Sequence, residues 1–138
     1  MTDNNFIFND NIDSCIASKG VHYDVAKVIY ELIKNKYIYN PDKNIWYYYN
    51  DNILLIDNKQ EKLKQEIKSN VINAFILRGT YWDDTANKEQ DINIKLHNQL
   101  NSFTLFQIAN KLKDNKYLNN IIKELKQFFN SGNIDVNK

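Results

Sequence analysis

The chain has 138 residues, enough for one domain with one core and too few for two. Its 18 Lys and Arg nearly cancel 17 Asp and Glu, for a formal net charge of +1, so no whole-molecule field draws in nucleic acid. Arg78 is the only arginine, which argues against base-specific reading of a duplex, and the single Cys15 excludes an internal disulfide. The residues after Met1 form neither a signal peptide nor a membrane span, which points to an intracellular, soluble protein with no membrane partner.

Residues 1–20 are polar, lack sustained periodicity and end in Ser18-Lys19-Gly20, so they read as a partly ordered N-terminal tail. From His22 the pattern sharpens. Val25, Val28, Ile29, Leu32 and Ile33 fall on one helical stripe, predicting a first helix over Tyr23 to Lys36. Next come two aromatic segments, Tyr37-Ile38-Tyr39 and Ile45-Trp46-Tyr47-Tyr48-Tyr49, flanking the turn Asn40-Pro41-Asp42-Lys43-Asn44. Asn50-Asp51-Asn52 then leads into Ile53-Leu54-Leu55-Ile56, completing a three-stranded antiparallel meander. Alternation puts Ile45, Tyr47 and Tyr49 on one face and Trp46 and Tyr48 on the other. Both faces of the middle strand are therefore aromatic; one can be core, and the other needs a partner.

Asp57 or Asn58 is placed to cap a second helix, with a charged, solvated opening over Lys59 to Lys68 and a buried second half from Val71 to Leu77. A break is expected between Gly79 and Asp84. Ile92, Leu96, Leu100 and Phe103 mark a third stripe, and Leu105, Ile108, Ala109 and Leu112 a fourth, with Ser102 or Thr104 either a boundary or an interior position. Asp114 or Asn115 caps the last helix, on which Leu118, Ile121, Ile122, Leu125, Phe128 and Phe129 form one face, and Ser131-Gly132-Asn133 ends it. Residues 134–138 read as a frayed end or linker. The fold class is α+β, mostly α: about five helices in a single domain over 21–133, with the meander after the first helix.

Clustered glycines for a phosphate loop are missing, since Gly20, Gly79 and Gly132 lie far apart. Cys15, His22 and His97 are isolated, so no metal site is expected, and a Cys-His nucleophilic pair has no local signature. The acidic group Asp83, Asp84, Glu89 and Asp91 reads as a solvated, capping loop rather than a Mg²⁺ site. No catalytic residue and no cofactor are assigned. Lysines 59, 62, 64 and 68, interleaved with Glu61 and Glu66, form a solvated face that could also track phosphates. Single-strand binding combines exposed aromatics with nearby lysines, which singles out Lys36, Lys43, Trp46 and Tyr48; packing of a half-buried sheet accounts for the same aromatics without a ligand.

The order of these pieces is similar to a known family. His22-Tyr23-Asp24-Val25-Ala26-Lys27-Val28, Trp46-Tyr47-Tyr48-Tyr49-Asn50, Leu63-Lys64-Gln65-Glu66-Ile67 and Ile121-Ile122-Lys123-Glu124-Leu125-Lys126-Gln127-Phe128-Phe129 together resemble the poxvirus-type primase-helicase N-terminal-like domain. That domain precedes a superfamily 3 helicase in large DNA viruses and some phages. The likeness runs from about Val21 to Asn133; it departs at Ile53-Leu54-Leu55, where members often carry a second tryptophan, and at Asp51 or Asn52, where they carry glycine. It implies a non-catalytic collar or linker domain, working at a viral replication site in the host cytoplasm or nucleus. Its implied partners are the adjoining helicase module, single-stranded DNA and further copies in a homo-oligomer, with an ATP-dependent parent protein. The alternative is a protein-interaction module that docks a partner or a copy of itself through the aromatic sheet or the last amphipathic helix.

Overall fold

The computed structural model of the chain describes residues 2–131 as backbone and 9–129 in full. In chain order it contains α1 (Thr2–Ser18), α2 (His22–Ile33), β1 (Tyr37–Asn40), β2 (Ile45–Asn50), β3 (Ile53–Ile56), α3 (Glu61–Glu66), α4 (Ile72–Lys88), α5 (Ile92–Lys111) and α6 (Asn115–Ser131). A π-helical turn, Ile67–Val71, joins α3 to α4 through residues of ordinary helical backbone, so 61–88 is one rod and the described residues hold five helical rods. The fold is mostly α with a small sheet, and the meander follows the second helix in the chain rather than the first.

The expected N-terminal tail is a helix. Ile12 and Cys15 are buried and Ile16 packs against the core, a short stripe at i, i+3 and i+4 that the polar composition of the segment masks. Ser18-Lys19-Gly20 is this helix's terminus: Lys19 takes a left-handed φ of 58°, and the Gly20 and Lys19 N–H groups donate to the Cys15 and Ile16 carbonyls at 3.0 Å, the paired bonds of a Schellman cap. Gly20 itself has φ +84°, which L side chains rarely adopt, and a Cβ there would lie 2.8 Å from Ile108 Cγ1, so any other residue is strained and pushes against the Ile108 side chain.

The meander has strand order β1-β2-β3. Asn40 Oδ1 accepts the Asp42 and Lys43 N–H groups and so folds the first turn, while Asp51 and Asn52, at φ 52° and 70°, make the two-residue turn that matches strand twist. Register pairs Tyr37 with Tyr48 and Tyr39 with Trp46, which puts these four rings on the inner face. Tyr39 and Phe129 lie 4.9 and 5.1 Å from the Trp46 ring, locking the sheet onto α6. Around that contact the core gathers Val28, Ile29 and Ile33 of α2, Leu63 and Ile67, Leu105 and Ile108 of α5, and Leu118, Ile121 and Leu125 of α6.

Two further expectations change. The break at Gly79 does not occur, because Gly79 is an interior position of α4 whose missing side chain admits Phe106 of α5; a Cβ would stand 2.7 Å from that ring. The rod 61–88 also distributes its burial differently: Leu63, Ile67, Val71, Ile72 and Phe75 are buried, whereas Ile76, Leu77 and Tyr81 are exposed. The third and fourth stripes belong to one helix, α5. Asp57 caps the rod 61–88, its carboxylate accepting from the Lys62 and Leu63 N–H groups at 2.8 and 2.9 Å, and Asp114 caps α6 through the Tyr117 N–H at 3.0 Å. No helix among the described residues is long and apolar enough to cross a membrane. The expected end of the chain at 132–138 lies outside the described residues.

Candidate nucleic-acid interface

Of the four residues singled out for single-strand binding, only two come together. Trp46 is 1 % exposed and faces the core, so it has no free ring face on which a base could stack; this corrects the sequence expectation, and the reason is that the inner face of β2 is the one α6 covers. Lys43 is exposed, but it sits in the β1–β2 turn, at the opposite end of the hairpin from Tyr48, which lies about 10 Å along β2 from its first residue, Ile45, at a rise of about 3.3 Å per residue. Lys36 precedes Tyr37, whose register partner is Tyr48, so Lys36 and Tyr48 line one small cleft with Tyr49, Lys62 and Glu66.

That cleft adjoins an open groove of about 590 Å³ between the free edge of the sheet and α3, lined by Tyr48, Ile56, Asp57, Glu61, Lys62, Lys64 and Lys68, among others. Tyr48 is half-buried and forms the wall common to both, with Lys62 Nζ 5.4 Å from its ring centroid. Lys62, Lys64 and Lys68 were part of the interleaved lysine face in the sequence. Helical spacing made that face visible, but only the long-range packing of α3 beside β2 and β3 set it against an aromatic ring.

Two of the three acids of this region, Asp57 and Glu66, are turned to internal work, while Glu61 is exposed on the groove. Asp57 is buried and holds the two α3 amides already described. Glu66 accepts from Asn70 Nδ2 at 2.6 Å, Lys36 Nζ at 3.0 Å and the Tyr37 hydroxyl at 3.4 Å. Burial pushes its carboxyl up, but the bonds from Asn70, Lys36 and Tyr37 outweigh burial and leave it below the usual carboxylate range. Burial and the neighbouring Glu66 and Asp57 push the Tyr37 phenol well up, so it stays a neutral donor, also giving its proton to the Lys62 carbonyl at 3.1 Å. Lys36 is thereby partly neutralised. At the mouth of the groove Lys59 and Gln60 both adopt left-handed backbone, at φ 57° and 56°, each at a cost of about 1–2 kcal/mol. The Asp57 cap compensates by holding the start of α3 in place just beyond them.

Other candidates fare differently. Cys15 is fully buried, and burial, followed by Asp24 and Asp13, pushes its thiol up to about 12, so it is not a thiolate nucleophile at neutral pH. Arg78 faces inward as a fork on Asp13, Nε and Nη2 donating at 2.9 and 2.6 Å, with Trp82 Nε1 adding a bond at 3.0 Å. This pair ties α1 to α4, and the fork holds the guanidinium above its ordinary range. The apolar stripe of α6 is buried within the domain, which removes it as a free docking face. No protein-family model matches the chain, and no curated protein matches it.

Proposed function

We propose that this chain is a non-catalytic accessory domain of a viral-type primase-helicase, adjoining a superfamily 3 helicase module, supporting its assembly and guiding single-stranded DNA. The reading rests on the family resemblance together with one observation of geometry: a half-buried tyrosine beside a groove lined by Lys62, Lys64 and Lys68, where Asp57 and Glu66 are engaged internally and Glu61 is the one exposed acid of the lining. A base stacked on Tyr48 gains about 1–3 kcal/mol by the general behaviour of such platforms, while Lys62, Lys64 and Lys68 neutralise successive phosphates. Lys36 contributes less, being paired to Glu66 at 3.0 Å. The groove, rather than Trp46 and Lys43, carries the contact.

The test is fluorescence anisotropy of a labelled oligothymidylate with the purified chain. Weak binding is expected at low salt, with a log–log salt slope of about −0.7 for each phosphate neutralised. Tyr48→Ala and Lys62→Ala each weaken it; Lys43→Ala leaves it unchanged. Absence of binding at low salt, or binding indifferent to Tyr48→Ala and Lys62→Ala, removes the DNA-guiding role. Hydrolysis of ATP by this chain alone counts against the non-catalytic reading.

A second reading, a protein-docking module, is favoured by the outer sheet face. Ile38, Tyr47 and Ile56 share one register row there, next to the paired Tyr49 and Leu54, and none of these five is buried. An apolar sheet face of this kind suits a protein partner. Tyr47→Lys, which leaves the groove untouched, separates the two readings: DNA binding survives it and partner docking does not.

A further inference from the structure

Up to Thr104, helix α5 carries its polarity inside out. Its buried positions include Asn98, Asn101, Ser102 and Thr104, whereas Leu96, Leu100 and Phe103 are 55, 58 and 57 % exposed. An exposed helix face normally carries the polar residues, because the apolar ones gain from leaving water. Exposed Ile92, at the start of the same helix, and Leu77 and Tyr81 on the antiparallel α4 add to the apolar surface of this hairpin. We infer that the α4–α5 hairpin is a self-association surface, on which two copies of this chain pair about a two-fold axis through α5 to form a four-helix bundle.

Three features identify the occupant as a second copy. Spacing is the first: Leu96 and Phe103 lie four residues before and three after Leu100, so reversing the helix about Leu100 lays Leu96 of one copy against Phe103 of the other. A self-complementary patch of this kind is what a two-fold interface requires. Size is the second. These six side chains, each about half exposed and each offering roughly 150–250 Å² in full when aromatic and somewhat less when aliphatic, leave roughly 500 Å² per partner, below the roughly 800 Å² of a standard interface and in the range of a weak, reversible pairing. Orientation is the third: antiparallel pairing of α5 with its copy opposes the two helix dipoles. The groove beside Tyr48 takes no part in this contact, so the inference stands apart from DNA binding.

Sedimentation equilibrium of the whole chain, from about 1 μM to about 1 mM, spans micromolar to millimolar association. The expected result is a shift toward the mass of two chains of 16.4 kDa, abolished by Leu100→Asp and by Phe103→Asp, with circular dichroism unchanged, and retained in Leu55→Lys. A chain that stays monomeric throughout overturns the proposal. So does a dimer that survives both hairpin substitutions, or one lost in Leu55→Lys alone, which would assign the contact to the sheet edge. A second variant guards against misfolding: Leu100→Cys, treated with oxidised glutathione, cross-links into a covalent dimer because the two positions meet at the axis, while Lys123→Cys does not. Failure of Leu100→Cys to cross-link overturns the proposal as well.

Discussion

Helices α6 and α5 are built from similar numbers of apolar residues and meet opposite fates. In α6 the apolar side chains fall on one stripe, and α2, β1 and the Trp46 ring cover it, so Leu118, Ile121 and Leu125 are fully buried. In α5 they are spread around the helix: Leu105, Ile108 and Leu112, the last closing its C-terminal end, enter the core, while Leu96, Leu100 and Phe103 face outward. The junction of α2, α6 and the inner face of β1 and β2 satisfies itself, although β3 stays exposed at the sheet edge. The hairpin half leaves apolar surface over, and the physical reason is that a two-helix hairpin can bury only one side of each helix against the other.

The largest effect expected from this contrast is at the junction of sheet and α6. Trp46→Ala removes the ring packed between Tyr39 and Phe129 and costs about 3–5 kcal/mol in urea unfolding. Trp46→Phe costs well below that, because the indole N–H makes no hydrogen bond among the described residues. If Trp46→Ala leaves the unfolding midpoint unmoved, the ring is not core.

A direct comparison of the two helices comes next. Leu125→Ala in α6 is expected to lose about 2–5 kcal/mol. Leu100→Ala in α5, measured at dilution where the chain is monomeric, should stay within about 0.5 kcal/mol. Equal losses at the two positions would erase the distinction between the closed half and the hairpin.

At the base of the hairpin, Arg78→Lys cannot reproduce the fork on Asp13 that ties α4 to α1, and a loss of about 1.5–3 kcal/mol is expected for charged hydrogen bonds. Thermal unfolding measures it. An Asp13→Asn change that costs nothing would show that the pair does not hold the two helices together.

The smallest effect concerns pH. Glu66 lies below the usual carboxylate range when folded, so its contribution to stability is complete above the unfolded value of about 4.3 and fades as pH falls through the lower folded value. Glu66→Gln is expected to lower stability at neutral pH and to leave it nearly unchanged below the folded value, which flattens the acid limb of the profile. An acid limb identical in the two proteins would mean that the bonds from Asn70, Lys36 and Tyr37 do not favour the ionised form.

Much of the architecture was legible in the residues because local rules were enough for it. Alternation separated the two faces of β2, the stripes of α2 and α6 were regular, and Asp57 and Asp114 announced their caps through short side chains ahead of apolar runs. α1 was hidden because only Ile12, Cys15 and Ile16 carry its stripe among polar neighbours, and Gly79 misled because a glycine admitting a neighbouring ring has the same local signature as a helix stop. The candidate groove was half legible: its lysines stood out by spacing, but nothing local distinguished Trp46, which is buried, from Tyr48, which reaches the groove.

Apart from α1 and the run through Gly79, the residues alone determined which segments are helix and strand, and which side chains share a face, since those depend on backbone sterics and periodicity within a few positions. Tertiary packing decided which face of the meander meets α6, that Arg78 is a clamp between helices, and that α5 turns leucine and phenylalanine outward. Those outcomes depend on which distant segment arrives to exclude water from a given side chain, and no local pattern encodes that arrival.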